Sequence, residues 1–423
     1  MATPRNQRDL DIVLFGATGF VGKLTAEHLV AYAPANVRVG LAGRNADTLS
    51  DVRTSLGPSA ADWPLISADS SDITSLHAMA SQARVVISTV GPYARFGLPL
   101  VQACVQAGTD YVDLTGEVLF VRDSIDQFHE QAQASGSRIV HSCGFDSVPS
   151  DLAVLELATR AAADGAGELT DTTLFVTAKG GVSGGTLDSM KGQIAQIRTD
   201  KKQRAIVLDK FALSPDRAAE PKGEWRDSMS VSYAPEVKSW TGPFVMAIYN
   251  TRIVRRSNAL QGHAYGFTFR YREQQKTGDG LAGRATAYGL SGGLVAGIGV
   301  MSLAFIQPLV DRVLPKAGQG PGAEARANGF FKADARSTTT NGVAYRSVVA
   351  AHGDPGYAAT CVMLAESALA LATQREQCPL PGGLNGGVLT PATALGGVLS
   401  QRLRDRGFTI RTERVQGARS VRQ

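Results

Sequence analysis

The sequence predicts an α/β protein in which a doubly wound parallel sheet is followed by a second α+β domain on a mixed or antiparallel sheet. Three observations support this fold class. Six short apolar runs alternate with helical stretches between residues 11 and 142, as in a sheet covered on both faces. A glycine-rich turn joins the first run to the first helix. After residue 151 the alternation stops, and longer strand-like runs replace it.

These runs divide the chain of 423 residues into three predicted parts. Residues 1–150 form a domain of the Rossmann type, 151–355 a substrate or lipid domain, and 356–423 C-terminal helices that pack back on the first domain, plus a basic tail. The predicted parallel strands are 11–15, 37–43, 64–68, 84–90, 110–114 and 138–142. The predicted strands of the second domain are 171–180, 267–273, 329–340 and 343–352.

Composition and charge restrict the class of protein. With 43% apolar and 19% charged residues, the chain can bury a large core. The net charge of +5 resides in 401–423, where seven arginines oppose Asp405 and Glu413. We expect this tail to be solvated, or to meet an anionic surface or an acidic protein, and no motif indicates nucleic acid. Four cysteines without paired spacing favour a reducing cytoplasm over a disulfide framework or a metal site.

One segment of the second domain, residues 285–310, carries no charge over 26 residues. It is long enough to span a bilayer, but five glycines and Pro308 weaken it as a simple helix. Three interpretations stay open: a buried helix or crossover, a membrane-surface or lipid-contacting segment, and a transmembrane span. The last is the least favoured, because the stretch is single and lies inside a domain.

The turn "FGATGFVG" has GxxGxxG spacing directly after the first predicted strand. The first glycine permits a tight turn, the second lets the backbone approach a pyrophosphate, and the third lets the helix pack closely. The helix N-terminus offers free amides and a partial positive charge to phosphate. Because the turn opens a domain of six β/α repeats, it predicts a dinucleotide site. The residues assigned to it are Gly16, Thr18, Gly19, Phe20, Val21 and Gly22.

The end of the second predicted strand distinguishes the two nicotinamide cofactors. An NAD site places a carboxylate there for the ribose 2′-hydroxyl, whereas this chain has Gly43, Arg44 and Asn45. A guanidinium can pair with a 2′-phosphate and stack on the adenine, so the sequence predicts NADP(H). Asp69, after the third strand, is a candidate partner of the adenine amino group.

The ends of the fourth and sixth strands are predicted to line the rest of the cofactor site. Thr89, Val90 and Gly91 end the fourth strand, where the ribose and nicotinamide should pass. Residues 143–146 follow the sixth strand and should line the nicotinamide cleft. Three of them are assigned to the cofactor, namely Cys143, Gly144 and Phe145, whereas Asp146 is expected to cap the next helix or to face the cleft.

Seven motifs occur in the order found in the saccharopine dehydrogenase-like oxidoreductases, which the chain resembles from about residue 10 to 410. They are "GATGFVG", "AGR", "TVGPYARFG", "GTDYVDLTGE", "CGFDSVPSDL", "GDPGY" and "GGVLTPATAL". Within that family, "TRIVRRSNAL" at 251–260 and "GLPLVQACVQAGTDYVDLTGE" are similar to the trans-acting enoyl reductases of mycobacterial lipid synthesis.

This resemblance implies an NADPH-dependent reductase of a carbon–carbon double bond in a polyketide or fatty acyl chain. The chain would be held by a separate carrier protein or polyketide synthase, as in phthiocerol-type lipids. A homodimer and a cytoplasmic location, with peripheral contact at the inner face of the membrane through 285–310, complete the expectation. The alternatives are a saccharopine-type or keto-group dehydrogenase, and a non-catalytic, membrane-associated NADP(H)-binding protein.

Enoyl reduction needs a proton donor at the α-carbon. Tyr93, just past the fourth strand, is the candidate, with packing or a ribose contact as the alternative. Asp113 and Glu117 at the end of the fifth strand could hold the loop or touch the substrate, and the sequence does not choose. Cys143 is not expected to be a nucleophile, because no partner histidine can be assigned.

Overall fold

A computed structural model describes residues 4–180, 184–221, 230–301, 322–378 and 380–415. Two seven-stranded sheets organise them, one parallel and one mixed. The predicted fold class, a doubly wound parallel sheet followed by an α+β domain on a mixed sheet, is confirmed.

Every strand pair of the first sheet is parallel. Strands are numbered here in chain order along the whole protein. Those of the first sheet are β1 (Leu10–Phe15), β2 (Val39–Gly43), β3 (Leu65–Ser67), β4 (Ala83–Ser88), β5 (Asp110–Asp113), β6 (Arg138–Val140) and β13 (Gly387–Leu389). Their order is β13-β6-β5-β4-β1-β2-β3. All residues of β1, β2, β5, β6 and β13 are buried, which explains why these strands appear as continuous apolar runs.

Five helices connect the first six strands. They are α1 (Phe20–Tyr32), α2 (Ala46–Ser55), α3 (Ile73–Gln82), α4 (Tyr93–Ala107) and α5 (Val118–Ser135). Right-handed crossovers put α1 and α2 on one face of the sheet and α3, α4 and α5 on the other. The chain leaves β1 in one direction and returns beside it as β4, so the order of strands reverses between these two. A crevice at the carboxyl ends of β1 and β4 is therefore the place for a ligand.

The second sheet mixes parallel and antiparallel pairs. Its strands are β7 (Leu169–Lys179), β8 (Ser232–Ala234), β9 (Ser239–Pro243), β10 (Arg270–Gly278), β11 (Phe330–Thr339), β12 (Ala344–His352) and β14 (Thr409–Arg414), in the order β14-β12-β11-β7-β10-β9-β8. Only the β7–β10 pair is parallel. The sequence did not predict β8 and β9, which are short, nor β14.

The remaining helices lie between and around the two sheets. They are α6 (Val148–Ala163), α7 (Gly184–Thr199), α8 (Lys201–Leu208), α9 (Ala247–Leu260), α10 (Gly280–Met301), α11 (Ala323–Ala327), α12 (Thr360–Thr373), α13 (Pro391–Ala394) and α14 (Gly396–Asp405). Helix α6 packs on β11 and β12, while α12 packs on α1, β4 and β5. The core thus runs continuously from one sheet to the other.

The third predicted part, residues 356–423, was expected to consist of helices and a basic tail, but it also contains strands. It contributes β13 to the first sheet and β14 to the second, so it joins both. Arg256, from the "TRIVRRSNAL" helix α9, strengthens this connection, because its buried guanidinium donates to the carbonyl oxygens of Leu213 and Val388. Burial lowers the pKa of Arg256 to about 9. The charge is held by backbone dipoles across the boundary between the two halves.

Candidate functional site

The glycine turn closes tightly at the end of β1. Gly16 has φ +90°, and a Cβ there would lie 2.6 Å from Thr89 Oγ1. A Cβ at Gly22 would lie 2.1 Å from the carbonyl oxygen of Gly16, so only glycine lets α1 begin against the turn. Thr89 completes the closure, since its Oγ1 donates to the carbonyl oxygens of Phe15 (3.2 Å) and Gly16 (3.1 Å).

The N-terminus of α1 is open for an anion. Gly19 is the N-cap residue, no side chain caps the helix, and its own amide donates to Gly16 (3.0 Å). The amides of Phe20, Val21 and Gly22 in the first turn have no intrahelical acceptor. Thr18 and Phe20 are half-buried at this edge. The turn therefore presents backbone donors and the positive end of the helix dipole, as a pyrophosphate requires.

The end of β2 carries an available cation. Arg44 is exposed, and no hydrogen bond or ion pair of its guanidinium occurs among the described residues. Asp69 lies within electrostatic reach of it: hydrogen bonds from the amide and hydroxyl of Ser71, together with Arg44, lower the pKa of that carboxyl. The side chain of Asn45 accepts from the amide of Thr48 (3.0 Å) and so caps α2, while its assignment to the cofactor stays a prediction. Arg44 is thus the residue at this strand end that fits a 2′-phosphate. Gly43, which precedes it, is the buried last residue of β2.

Residues 89–91 line the crevice between β4 and the glycine turn. Thr89 and Val90 are half-buried, and Gly91 is exposed. A Cβ at Gly16 would also lie 2.8 Å from Val90 Cγ2, so this segment is in van der Waals contact with the turn. Together with the free amides and Arg44, these residues fit the pyrophosphate, ribose and 2′-phosphate of NADP(H).

The structure does not support Tyr93 as the proton donor. Its hydroxyl donates to the carbonyl oxygen of Ser88 (2.9 Å), its ring stacks on Phe120 at 5.6 Å, and the residue is only 5% exposed. Burial raises the pKa of Tyr93 well above its ordinary value. A hydroxyl that is directed into the first sheet cannot reach a substrate in the crevice, so the packing alternative agrees with the geometry.

Asp113 and Glu117 hold the loops of the crevice. Asp113 accepts from the amides of Thr115 (3.1 Å) and Ser142 (3.0 Å) through one oxygen, and its other oxygen lies 2.7 Å from His141 Nδ1. The two oxygens of Glu117 accept from the amides of Tyr93 (2.9 Å) and Ala94 (2.7 Å), which begin α4. Of the two open interpretations, these contacts favour positioning of the loops over substrate binding.

The turn after β6 brings the first sheet against the second. Cys143 is fully buried, and burial raises the pKa of its thiol far above the usual range, which excludes a thiolate nucleophile. A Cβ at Gly144 would lie 3.0 Å from Thr360 Cγ2, and the amide of Phe145 donates to Thr360 Oγ1 (3.0 Å). The ring of Phe145 packs edge-on against Phe331 at 5.1 Å. Phe145 is half-buried, so this side of the crevice has an aromatic wall.

Asp146 does not cap the following helix. The N-cap of α6 is Ser147, and no side chain makes a capping hydrogen bond there. One oxygen of Asp146, Oδ1, is inaccessible to water and has no hydrogen-bond partner in the part of the chain that the structure describes. Burial raises the pKa of this carboxyl to about 7.

A second-domain cation near the glycine turn escaped the sequence analysis. Phe20 packs edge-on against Tyr357 at 4.9 Å, and the guanidinium carbon of Arg326 lies 5.3 Å from the centre of the Phe20 ring. Arg326 therefore stands beside the N-terminus of α1. The sequence gave no sign of this contact, because Phe20 and Arg326 are about 300 residues apart.

The uncharged segment 285–310 is described as far as Met301, and residues 302–310 lie outside the described part. Residues 285–301 belong to α10, which is largely exposed: Tyr288 is 55% and Val295 60% accessible. The buried-helix interpretation is therefore wrong for its described portion. At its base Arg284 lies over the rings of Trp240 (5.2 Å) and Tyr288 (5.8 Å), next to Tyr233.

The helix that is long and apolar enough to cross a membrane lies elsewhere in the chain. Among the described residues one helix, Pro355–Thr373, is long and apolar enough to cross a bilayer, and 72% of its apolar window is buried inside the protein. Such burial is typical of a core helix. Within the same residues, no group of three or more His, Cys, Asp or Glu side chains is placed to hold a metal ion.

Comparison with known proteins identifies the first domain. The family model "Saccharopine dehydrogenase NADP binding domain" matches residues 12–140, from the third residue of β1 to the end of β6. The cofactor of this domain is NADP(H), as the glycine turn and Arg44 predicted.

Relatives match along nearly the whole chain. A Mycobacterium tuberculosis protein provisionally named a trans-acting enoyl reductase is 49% identical over 424 residues, covering 98% of this chain and 99% of the relative. The trans-acting enoyl reductase of Mycobacterium bovis is 47% identical over 419 residues, with coverage of 97% and 99%. That of Mycobacterium ulcerans is 45% identical with the same coverage.

A solved structure supports the fold. The apo saccharopine dehydrogenase (L-Glu forming) from Saccharomyces cerevisiae superposes with a TM-score of 0.54 and 14% identity, over 96% of this chain and 100% of the other. At this identity the similarity shows the arrangement of the two sheets alone. The identity to the mycobacterial proteins is what decides the family: the chain belongs to the trans-acting enoyl reductases, with a saccharopine dehydrogenase-type NADP-binding domain, and is an NADP-dependent oxidoreductase.

Proposed function

We propose that this protein reduces the carbon–carbon double bond of an α,β-unsaturated acyl or polyketide chain that is attached as a thioester to a separate carrier protein. The observation that carries the proposal is the 47–49% identity, over 97–98% of the chain, to proteins named trans-acting enoyl reductases. The aligned region contains the second sheet as well as the NADP-binding domain. The relatives are therefore similar to this chain on the substrate side of the crevice too.

The chain's own residues can perform the positioning that this reaction needs. The amides at the start of α1 and the guanidinium of Arg44 would hold the phosphates of NADPH, which supplies a hydride when bound. Thr89 fixes the glycine turn against β4, and Glu117 fixes the start of α4. Phe145 places an aromatic wall at the crevice, where it excludes water and contacts an apolar chain. No metal enters this scheme.

Helix α10 supports a peripheral contact with lipid. Its exposed apolar side chains, among them Leu290 and Val295, stand on a base of Trp240, Tyr288 and Arg284. Aromatic and basic side chains beside an apolar surface are the pattern of membrane-interface segments. We therefore include binding to the inner face of the membrane in the proposal, with the second domain directed toward lipid. A lipid-facing position suits an enzyme whose substrate is a growing acyl chain.

The test is NADPH oxidation with 2-enoyl thioesters of increasing chain length, offered on pantetheine and on a carrier domain. We expect turnover with enoyl thioesters, faster for long chains, and a saturated product with a mass increase of about 2 Da. The matched control is the saturated thioester of the same length. Reduction of a 3-keto thioester, or turnover of saccharopine with NADP⁺, in the absence of any enoyl reduction would overturn the proposal.

A further inference from the structure

The turn between β6 and α6 holds Asp146 rigidly at the crevice. The amide of Cys143 donates to the carbonyl oxygen of Asp113 (2.7 Å), and the amide of Ser147 donates to that of Ser142 (3.1 Å). The first bond fixes the start of the turn to β5, and the second closes the turn on itself just after β6; the carboxyl ends of both strands face the crevice. The backbone at Asp146 is therefore held in a hydrogen-bonded turn next to the first sheet.

The carboxyl of Asp146 differs from the other buried acids around it. Asp113, Glu117 and Glu273 each engage both oxygens in hydrogen bonds. Oδ1 of Asp146 is equally closed to water, but no described residue donates to it. Desolvation without a donor disfavours the charged form, so such a group retains its proton. This is consistent with a pKa of about 7 for Asp146, raised by burial.

We propose that Asp146 is the catalytic acid that protonates the α-carbon of the substrate, an inference that rests on the proposed enoyl reduction. The hydride that forms the new C–H bond at the β-carbon would come from a C–H bond of the nicotinamide of NADPH, which would be left as NADP⁺. The π electrons of the double bond then move to the α-carbon and the thioester oxygen. The O–H bond of Asp146 then breaks, and its proton forms the second C–H bond at the α-carbon. The electron pair stays on the carboxylate, which regains a proton from water before the next turnover, because the residue as a whole is only half-buried although Oδ1 is closed to water.

Burial, and not a charged neighbour, keeps the carboxyl of Asp146 neutral before the reaction. Tyr249 on α9 and Glu273 on β10 lie within electrostatic reach of it. Asp113 and Glu117, from β5 and the loop after it, lie within electrostatic reach of Tyr249 in the same region. Among the described residues no arginine or lysine forms an ion pair with Asp146. Because burial disfavours the charged form, the carboxylate formed in the reaction is a strong enough base to recover its proton.

The pH dependence of turnover tests this role. In the wild type, kcat should fall as pH rises above about 7, because the acid must carry a proton. Asp146→Asn should lower kcat about 100-fold or more and remove that dependence, with the NADPH Kd unchanged within about twofold. Asp151→Asn is the matched control, since burial also raises the pKa of Asp151, to about 6, although Ser257 and Ala392 donate to its two oxygens. It should keep the wild-type pH profile.

A second measurement does not depend on activity. Carbon-13 NMR of the cofactor-free protein, labelled at aspartate carboxyls, should show one titration near pH 7 that disappears in Asp146→Asn. Reaction in deuterium oxide should place one deuterium at the α-carbon in a single configuration, and the variant should lose that selectivity. An active Asp146→Asn with an unchanged pH profile overturns this inference and leaves the proposed function standing. A wild type that reduces no enoyl thioester overturns both.

Discussion

The guanidinium carbon of Arg326 lies 5.3 Å from the ring centre of Phe20, so a side chain 306 positions after Phe20 in the sequence (326 − 20) lies at the glycine turn. Phe20 is the first residue of α1, and Tyr357 packs on its ring at 4.9 Å. The N-terminus of α1 therefore faces a cation from the second domain as well as its own amides. Arg44 lies at the other end of the same predicted site, after β2. The two arginines should bind different phosphates of one cofactor.

Arg44→Ala should weaken NADPH and leave NADH unchanged. The reason is that the 2′-phosphate is present in NADPH alone, and a charge-assisted hydrogen bond to phosphate contributes on the order of 1.5–3 kcal/mol, about tenfold or more in Kd. Fluorescence titration of both cofactors against wild type and variant measures the effect. Equal affinities of the wild type for NADPH and NADH would contradict this assignment of Arg44.

Arg326→Ala should weaken NADPH and NADH by the same factor. Its guanidinium stands beside the N-terminus of α1, where the pyrophosphate common to both cofactors is expected, and loss of that charge should raise each Kd about tenfold. Arg44→Ala is the matched control, because it should affect one cofactor only. A loss confined to NADPH would show that Arg326 serves the 2′-phosphate instead, and no loss at all would make its contact with Phe20 purely a packing interaction.

The first sheet could be predicted from the sequence because its strands are buried on both faces. Such strands appear as continuous apolar runs, and the glycine turn marks where they begin. β13 was not predicted, since it is three residues long and joins the sheet from position 387. The local sequence pattern of β13 does not show that it pairs with β6, which lies about 250 residues earlier in the chain. β14 was not predicted either, because it contains basic residues and is largely exposed, as expected of an edge strand.

The candidate site was predictable where backbone geometry decides it, and less so where side chains do. Only glycine permits the contacts at Gly16 and Gly22, so the spacing alone indicated the turn. Tyr93 and Asp146 both follow strands of the first sheet, and the sequence could not show which of them turns inward. The structure directs Tyr93 to the carbonyl of Ser88 and leaves an oxygen of Asp146 without a partner. That difference depends on neighbours from other elements.

Tyr93→Phe should cost stability and not turnover. The variant loses the hydrogen bond to the Ser88 carbonyl, which is worth about 1 kcal/mol, and keeps the stacking on Phe120. Urea denaturation should therefore show a reduced free energy of unfolding, while kcat stays within about twofold of wild type. A fall of kcat by about 100-fold with unchanged stability would restore Tyr93 as a proton donor.

Charges on α10 should reduce binding to lipid vesicles. Leu290 and Val295 are 38% and 60% exposed, and an aspartate at each position would oppose insertion of the helix surface into an anionic bilayer. The Leu290→Asp and Val295→Asp double variant should sediment with vesicles less than wild type. Leu208→Asp is the control, because Leu208 is 68% exposed on α8 and not on this helix. If the wild type does not sediment with vesicles, α10 is a protein-facing surface.

Ionisation of Glu273 should lower the free energy of unfolding as pH rises from about 5 to 8. Glu273 is fully buried, its carboxyl oxygens accept from Tyr271 and Asn250, and burial raises its pKa from 4.5 to about 7. Between these two values the folded protein holds a proton that the unfolded chain has released. The folded state therefore binds more protons, and the free energy of unfolding falls with rising pH until the folded group is also ionised.

A shift from 4.5 to about 7 corresponds to on the order of 3 kcal/mol, about three-quarters of it present at pH 5 and nearly all of it lost by pH 8. Glu273→Gln cannot ionise, so its free energy of unfolding in urea should vary less with pH than that of wild type over this range. Asp151→Asn is a useful second variant, because burial raises the pKa of Asp151 to about 6 although Ser257 and Ala392 donate to it. Its effect should be confined to a window about one unit lower. Parallel pH curves for wild type and Glu273→Gln would mean that water or a partner reaches this carboxyl and leaves it ionised at neutral pH.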